Sequence, residues 1–163
     1  MRIALIGPGI MSIPPPGWGA VESLIWDYQL ELTELGHQVD IINTPNRNEI
    51  LKKVNKVEYD FVHIHYDVFH DLLNCLRCPN IGISSHYPYV DQIDMHARDG
   101  YSNIFAHLCD NKNFNLFCIS NKDKKAFLEH GANPERTFLL ENGANPKHFN
   151  YSEICIKTNK SVY

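Results

Sequence analysis

The sequence predicts an α/β fold in which a doubly wound parallel β-sheet carries helices on both faces. Short apolar runs typical of buried strands alternate with segments whose apolar residues recur at helical spacing, and the alternation continues along most of the chain. Repeated strand–helix units of this kind favour a parallel sheet covered by helices. The length of 163 residues indicates one domain of this type.

Six strands and five helices follow from the apolar pattern. The predicted strands cover residues 2–7, 39–42, 61–64, 80–84, 116–119 and 137–140. Helices are predicted from Ala20 to the stop at Gly36, over residues 48–56, through Leu72, Leu73 and Leu76, and over residues 103–110 and 123–130. Residues 89–100 are polar and aromatic without a clear period, which predicts a loop at the ligand-binding edge of the sheet.

The charge and cysteine content disfavour several classes of protein. A net charge of −4 argues against a nucleic-acid-binding protein. No run approaches the roughly 18 apolar residues that span a bilayer, and the short apolar run after Arg2 does not resemble a secretory leader. Five cysteines, an odd number, are typical of reduced thiols, so we expect a cytoplasmic protein.

The most distinctive segment is the proline-rich loop, residues 14–22, with the sequence PPPGWGAVE. Its three prolines keep the approach extended, and Gly17 and Gly19 are expected to let the backbone turn tightly. The N-terminus of the following helix presents unpaired N–H groups, which favour a ligand phosphate or anion beside Gly17, Trp18 and Gly19. The alternative is a purely structural connection between a strand and a helix.

A polar residue follows each of four later strands. These residues are His65, His86, Ser120 and Asn142. Because the carboxyl ends of parallel strands meet at one edge of a sheet, we expect the four side chains to converge on a crevice beside the proline-rich loop.

Dinucleotide and metal sites are both disfavoured. Residues 7–12, GPGIMS, lack the third glycine of a dinucleotide fingerprint, and Asn43 and Thr44 stand where an acidic residue would hold a ribose. Cys75 and Cys78 have CxxC spacing but no second pair. Other potential metal ligands lack the spacing of a metal motif; they are His65, Asp67, His70, His86, Asp91, Asp94 and His96. We therefore predict neither a metal site nor a bound cofactor.

Six short motifs, in the same order along nearly the whole chain, resemble the N-terminal half of family-4 glycosyltransferases of the GT-B fold. They are PPPGWGAVE at residues 14–22, LGHQV at 35–39, DFVHIH at 60–65, SSH at 84–86, CIS at 118–120, and ENGAN at 141–145 with Phe149. The sequence departs from the family pattern at Ala20, where a second glycine is usual, and at Asn145, where an aspartate is usual. The resemblance implies a Rossmann-like fold.

In that family the N-terminal domain shapes the acceptor side of a cleft, and the C-terminal domain holds a nucleotide-sugar. The resemblance implies that residues 1–150 form the acceptor-side domain and that residues 151–163 lead into a C-terminal domain that this chain lacks. The implied reaction is retaining transfer of a hexose from a nucleotide-sugar donor to an acceptor hydroxyl, usually without a bound metal. Family members often contact membranes, but the charge balance here gives no sign of a membrane-binding patch.

The same resemblance implies roles for individual residues. His86 is the candidate catalytic residue, because it would lie near the transferred sugar, where a neutral imidazole can hydrogen-bond a hydroxyl. The candidate substrate-binding residues are Gly17, Trp18, Gly19, His65, Ser120, Asn142 and Gly143. The alternative for His86 is a histidine that only serves the fold, and Glu22 is expected merely to complement the helix dipole.

Two functions remain open. The first is the N-terminal half of a working glycosyltransferase, which we expect to be inactive without its C-terminal domain or a partner chain. The second is a non-catalytic Rossmann-like module that binds an acceptor or a partner. The first is favoured because the chain ends within a predicted strand at residues 160–163 rather than at a linker.

Overall fold

The computed structural model describes residues 1–143, which form a single six-stranded sheet with all strands parallel. The strands are β1 (Arg2–Gly7), β2 (Gln38–Asn43), β3 (Phe61–Ile64), β4 (Ile81–Ser85), β5 (Asn115–Cys118) and β6 (Thr137–Leu139). Their order in the sheet is β2-β1-β3-β4-β5-β6. The predicted Rossmann-like α/β fold is therefore confirmed. The predicted tail at residues 151–163, and the motif residues Asn145 and Phe149, lie outside the described residues.

The strands alternate with five α-helices and two short 3-10 helices. The α-helices are α1 (Ala20–Glu34), α2 (Arg47–Val54), α3 (Ile93–Asp99), α4 (Ser102–Cys109) and α5 (Asn121–Glu129). The 3-10 helices cover Asp67–Leu72 and Pro134–Arg136. None of the helices within residues 1–143 is long and apolar enough to span a bilayer.

The two faces of the sheet carry separate hydrophobic cores, because successive side chains of a strand point to opposite faces. Ile3 and Leu5 of β1 pack against Ile25 of α1 in the smaller core. Ala4 and Ile6 of the same strand belong to the larger core on the other face. That larger core also takes its buried side chains from α2, α4 and α5, including Ile50, Val54, Phe105, Leu108, Ala126 and Phe127. One face is thus covered along its whole width.

On the opposite face, α1 is the only helix among the described residues, and it lies over β1 and β2. Beyond it, the rings of Phe61, Phe117 and Phe138 form an aromatic row across β3, β5 and β6, with successive ring centroids 6.4 and 5.9 Å apart. Gly82 of β4 makes room for this row, since a Cβ there would overlap the Phe117 ring and lie 3.0 Å from Phe61 Cζ. An open groove of about 180 Å³ runs beside the row; it is lined by Ile3, Leu5, Tyr28, Leu32, Phe61, His63, Phe117 and Leu140.

The structure differs from the sequence prediction in two segments. Residues 89–100, predicted as a loop, contain α3, whose only buried residue is His96. The His96 Nε2 atom lies 3.1 Å from the backbone carbonyl oxygens of Tyr89 and Val90, so this helix is anchored by a polar residue and shows no apolar period. The helix predicted through Leu72 forms instead as the 3-10 helix Asp67–Leu72, with Leu73 and Leu76 buried after it.

Candidate functional site

The order of the strands reverses at β1, which lies between β2 and β3. In open α/β sheets this switch point, at the carboxyl ends of the strands, is where ligands bind. His65 follows β3 here, and its backbone N–H donates to the Ile6 carbonyl of β1 at 2.9 Å. The candidate residue His65 therefore lies directly at the switch point.

The segment after β1 is fastened to the end of β2 by Asn43. The Asn43 Oδ1 atom accepts from the Gly9 N–H at 2.8 Å, and its Nδ2 donates to the Met11 carbonyl at 2.8 Å. Gly9 has a φ of +71°, and a Cβ there would overlap the backbone of Thr44 and Pro45. The Gly-Pro-Gly sequence thus serves a close approach between two strand ends, which accounts for these glycines without a dinucleotide.

The proline-rich loop leads into α1 through Gly19. The Gly19 carbonyl accepts from Ser23 N–H at 2.8 Å, and a Cβ on Gly19 would lie 3.1 Å from Pro15 Cβ. Neither Gly17 nor Gly19 adopts a left-handed φ, and a Cβ on Gly17 would meet no described atom within 4 Å. Gly19 therefore supplies space at the end of the loop, whereas Gly17 lies at a bend of the backbone that has neither a positive φ nor a close neighbour.

The start of α1 carries an acidic side chain and an exposed aromatic ring. Glu22 is buried in the first turn, with Oε2 3.1 Å from the position that a Gly19 Cβ would take, so its carboxylate lies near the positive end of the helix. Trp18 is 91% exposed. No ring contact or hydrogen bond among the described residues joins Trp18 to the histidines at the strand ends.

Three histidines form a column at the ends of β3 and β4. The ring centroids of His63 and His65 are 3.9 Å apart, and those of His65 and His86 are 5.9 Å apart with nearly parallel planes. The ring of Tyr28, from α1, packs against His65 at 5.4 Å. The structure therefore brings together two of the predicted site residues, His65 and His86, and adds His63 and Tyr28 to them.

Several nitrogen atoms of this histidine column lack a hydrogen-bond partner within residues 1–143. His65 is completely buried, and neither its Nδ1 nor its Nε2 has a partner; the same holds for the buried Nε2 of His86. His63 differs, because its Nε2 lies 2.8 Å from Ser84 Oγ. Buried polar atoms are normally paired, so these three nitrogens are exceptions within the described residues. Of the two rings, only that of His86 belongs to a residue that is partly exposed.

Burial keeps the imidazoles of the column uncharged. Loss of hydration lowers the pKa of His86 to about 4 and that of His63 to about 3, and it holds the pKa of His65 well below its usual value. For His63 and His65, the neighbouring histidines add to this effect. A neutral imidazole can donate from one nitrogen and accept at the other. The column is therefore suited to hydroxyl groups rather than to anions.

A buried hydrogen-bonded cluster around Asp67 joins the segment after β3 and the end of β4 to the start of α4. Asp67 Oδ2 accepts from Ser85 Oγ and from the Tyr101 hydroxyl, each at 2.9 Å. From the sequence, Asp67 stands out only as a possible metal ligand. Its contact with Ser85 and Tyr101 carried no signal in the sequence, because the three residues are 16 to 34 positions apart.

The other potential metal ligands are dispersed. His70 pairs with His107 across 2.6 Å, and the ring of His96 faces backbone carbonyls. No group of three histidine, cysteine, aspartate or glutamate residues in the described part of the chain is arranged to hold a metal ion.

The remaining candidates follow β5 and β6. Ser120 is the N-cap of α5: its Oγ accepts from the Asp123 N–H at 3.2 Å and donates to Asp123 Oδ2 at 2.7 Å. Asn142 and Gly143 are exposed after β6, the edge strand of the sheet. Ser120 therefore has a hydrogen-bond partner within α5, and Asn142 and Gly143 follow the outermost strand of the sheet.

No family model and no curated protein sequence matches this chain. Solved structures do. HepE of Anabaena in complex with UDP-glucose superposes with a TM-score of 0.59 at 15% identity, over 90% of this chain and 45% of the HepE chain. HepE in complex with UDP and glucose gives 0.55 at 15%, over 90% and 46%. The chain therefore spans less than half the length of the HepE structures, with which it shares a fold.

A third similar structure is AviGT4, a glycosyltransferase involved in avilamycin A biosynthesis. It superposes with a TM-score of 0.47 at 13% identity, over 90% of this chain and 65% of the AviGT4 chain.

Proposed function

We propose that this chain is the acceptor-side domain of a retaining glycosyltransferase that moves a hexose from a nucleotide-sugar to an acceptor hydroxyl. In this proposal residues 1–150 form the N-terminal domain, residues 151–163 lead toward a C-terminal domain that grips the nucleotide, and the chain alone does not turn over. The nucleotide-sugar is a substrate, and no cofactor or metal takes part.

One observation carries the proposal: the unpaired, uncharged nitrogen of the partly exposed His86, which lies at the carboxyl end of β4 with its ring stacked on the buried His65. A sugar offers many hydroxyl groups and no charge, which is the chemistry that neutral imidazoles recognise. The fold is shared with HepE, which was solved with UDP-glucose and with UDP and glucose. The six sequence motifs resembling family-4 glycosyltransferases point to the same reaction.

The proposed reaction exchanges one bond at the anomeric carbon of the donor sugar. The acceptor oxygen forms a bond to this carbon on the same face from which the diphosphate oxygen departs. The nucleoside diphosphate leaves with the bonding electron pair and takes up the acceptor proton. His86 hydrogen-bonds a hydroxyl of the transferred sugar, and this contact strengthens as positive charge develops on the ring. Gly17, Trp18, Gly19, Asn142 and Gly143 are proposed to contact donor or acceptor around this centre.

The first test measures binding to the purified 163-residue chain. Histidine ring resonances are followed by NMR during titration with UDP-glucose, with glucose and with UDP. We expect weak shifts of the His86 and His65 resonances with UDP-glucose. The resonances of His37, which precedes the edge strand β2, should not shift. Shifts spread evenly over all nine histidines, or none at His86, would contradict the proposal.

The second test measures transfer. The isolated chain should show none with any nucleotide-sugar, and turnover by this chain alone would contradict the proposed need for a second domain. In the protein completed by such a domain, His86→Ala should lower kcat by about 100-fold, in the range of one lost transition-state hydrogen bond, and leave the unfolding midpoint nearly unchanged. A loss of stability as large as the loss of activity would indicate that His86 only supports the fold. Binding of an acceptor without any transfer would favour a non-catalytic module.

A further inference from the structure

We propose that Asp67 is a positioning residue for His86, because its buried carboxylate binds Ser85, the residue before this histidine, and Tyr101, on whose ring the residue after it stacks. The importance of the position of His86 rests on the function proposed above. The contacts of Asp67 do not depend on that function, and they can be tested separately.

Asp67 joins three segments of the chain through one oxygen atom. Its Oδ2 accepts from Ser85, the last residue of β4, and from Tyr101, the residue before α4, each at 2.9 Å. The two hydroxyl oxygens lie 2.8 Å from each other, so the three oxygens form one closed cluster. All three residues are buried, which excludes water as a competing partner. Ser85 is thereby fixed directly before His86.

Tyr87, directly after His86, is linked to the same cluster through Tyr101. Its ring stacks on Tyr101 with centroids 3.9 Å apart and planes 17° apart, and its hydroxyl donates to Asp99 at 2.9 Å. His86 therefore lies between Ser85, which donates to Asp67, and Tyr87, whose ring packs on the second donor to Asp67.

A carboxylate suits this place because one of its oxygens accepts from both hydroxyls. Hydrogen bonds to an ionised acceptor are roughly twice as strong as bonds to a neutral one, so an asparagine here would hold Ser85 and Tyr101 less firmly. Burial raises the pKa of Asp67, whereas the hydrogen bonds from Ser85 and Tyr101 lower it, so the cluster partly offsets the cost of burying the charge.

The experiment compares Asp67→Asn with Asp99→Asn in the 163-residue chain, by amide hydrogen exchange and by the NMR signals of the His86 ring. Asp99 is the matched control because it touches Tyr87 only through the exposed hydroxyl. We expect Asp67→Asn to speed exchange at the Tyr87 amide about tenfold, because a weaker bond to Tyr101 loosens the ring on which Tyr87 stacks, and to shift the His86 ring signals. Amides of β1 should exchange as in the wild type, and Asp99→Asn should change little.

If Asp67→Asn does not fold, Ser85→Ala replaces it, because this change breaks the link between Asp67 and β4 without removing the carboxylate. A folded variant of either kind with unchanged Tyr87 exchange and unchanged His86 signals would overturn the proposal. In the completed enzyme, Asp67→Asn should lower kcat and leave KM for the nucleotide-sugar nearly unchanged. A wild-type protein that ignores nucleotide-sugars would refute the proposed function, while the exchange data would still decide the role of Asp67.

Discussion

At the scale of single residues, the histidine column shows how burial sets the chemistry of a side chain. His63, His65 and His86 have lowered pKa values because their rings have lost water, and His65 lies between the other two. These rings are therefore neutral near pH 7 and can exchange hydrogen bonds with hydroxyl groups. The same burial links their protonation to the stability of the whole domain.

The free energy of unfolding should fall as the pH is lowered through 6.5. In the unfolded chain the column histidines bind protons near the ordinary imidazole pKa of 6.5, whereas in the folded chain His86 does so only near pH 4 and His63 near pH 3. The unfolded state therefore binds more protons in this window, and each such histidine removes up to about 1.4 kcal/mol per pH unit. The stabilising effect is fully present above pH 7 and is lost progressively toward pH 4.

The measurement is urea unfolding of the wild type and His65→Leu between pH 7 and 5. Leucine does not titrate, and the nitrogens that it replaces have no partner within residues 1–143. The slope of the unfolding free energy against pH should therefore fall by the contribution of about one histidine. Leu30→Gln, which changes no titratable group, is the control outside the column and should keep the wild-type slope. An equal slope in His65→Leu would mean that His65 takes up a proton in the folded protein.

At the scale of secondary-structure elements, the ends of the helices explain one candidate site residue. Ser120 caps α5 and Asn46 caps α2, each by accepting a backbone N–H of the first turn. Three other described helices, α1, α3 and α4, begin without a side-chain cap. The first turn of α1 carries the buried carboxylate of Glu22, which complements the positive end of the helix.

Ser120→Ala should lower the free energy of unfolding by about 1 kcal/mol, because the Asp123 N–H loses its acceptor. Ser120→Asn should recover most of this loss, since asparagine is an equally good N-cap. Chemical denaturation measures both variants. A loss of ligand-induced NMR shifts in Ser120→Ala without any loss of stability would instead support the predicted contact with substrate.

At the scale of the whole molecule, the sheet is covered unequally. In the described domain the larger core, with α2, α4 and α5, covers one face, and α1 alone lies on the other. The aromatic row of Phe61, Phe117 and Phe138 therefore borders an open groove, and Phe138 is 42% exposed. A contiguous apolar surface of this kind binds apolar dyes.

The folded 163-residue chain should raise the fluorescence of the dye ANS, and Phe138→Thr should reduce the signal by removing the outermost ring of the row. Threonine suits a strand, so the cost in stability should stay below about 1 kcal/mol. Leu30→Gln is the matched control, because Leu30 is 40% exposed on α1 outside the row. Equal dye binding in wild type and Phe138→Thr would show that the groove is not the site.

Local sequence patterns determined most of the architecture. Apolar runs located the six described strands to within one residue at each end, because each strand contains Val, Ile, Leu or Phe residues between polar segments. Periodicity located α1, α2, α4 and α5, and position after a strand singled out His65 and His86. Periodicity failed at α3, because this helix is held by the polar contacts of His96 rather than by an apolar stripe.

Tertiary structure alone decided how these residues meet. The ring contacts of His65 with His63 and His86, the pairing of His63 with Ser84, and the cluster around Asp67 join residues from separate strands and helices. No local pattern encodes such contacts, because they depend on the order of strands in the sheet and on which groups lose water together. The sequence by itself thus determined the sheet and the residues at its edge, whereas packing decided which of them are buried, neutral and unpaired.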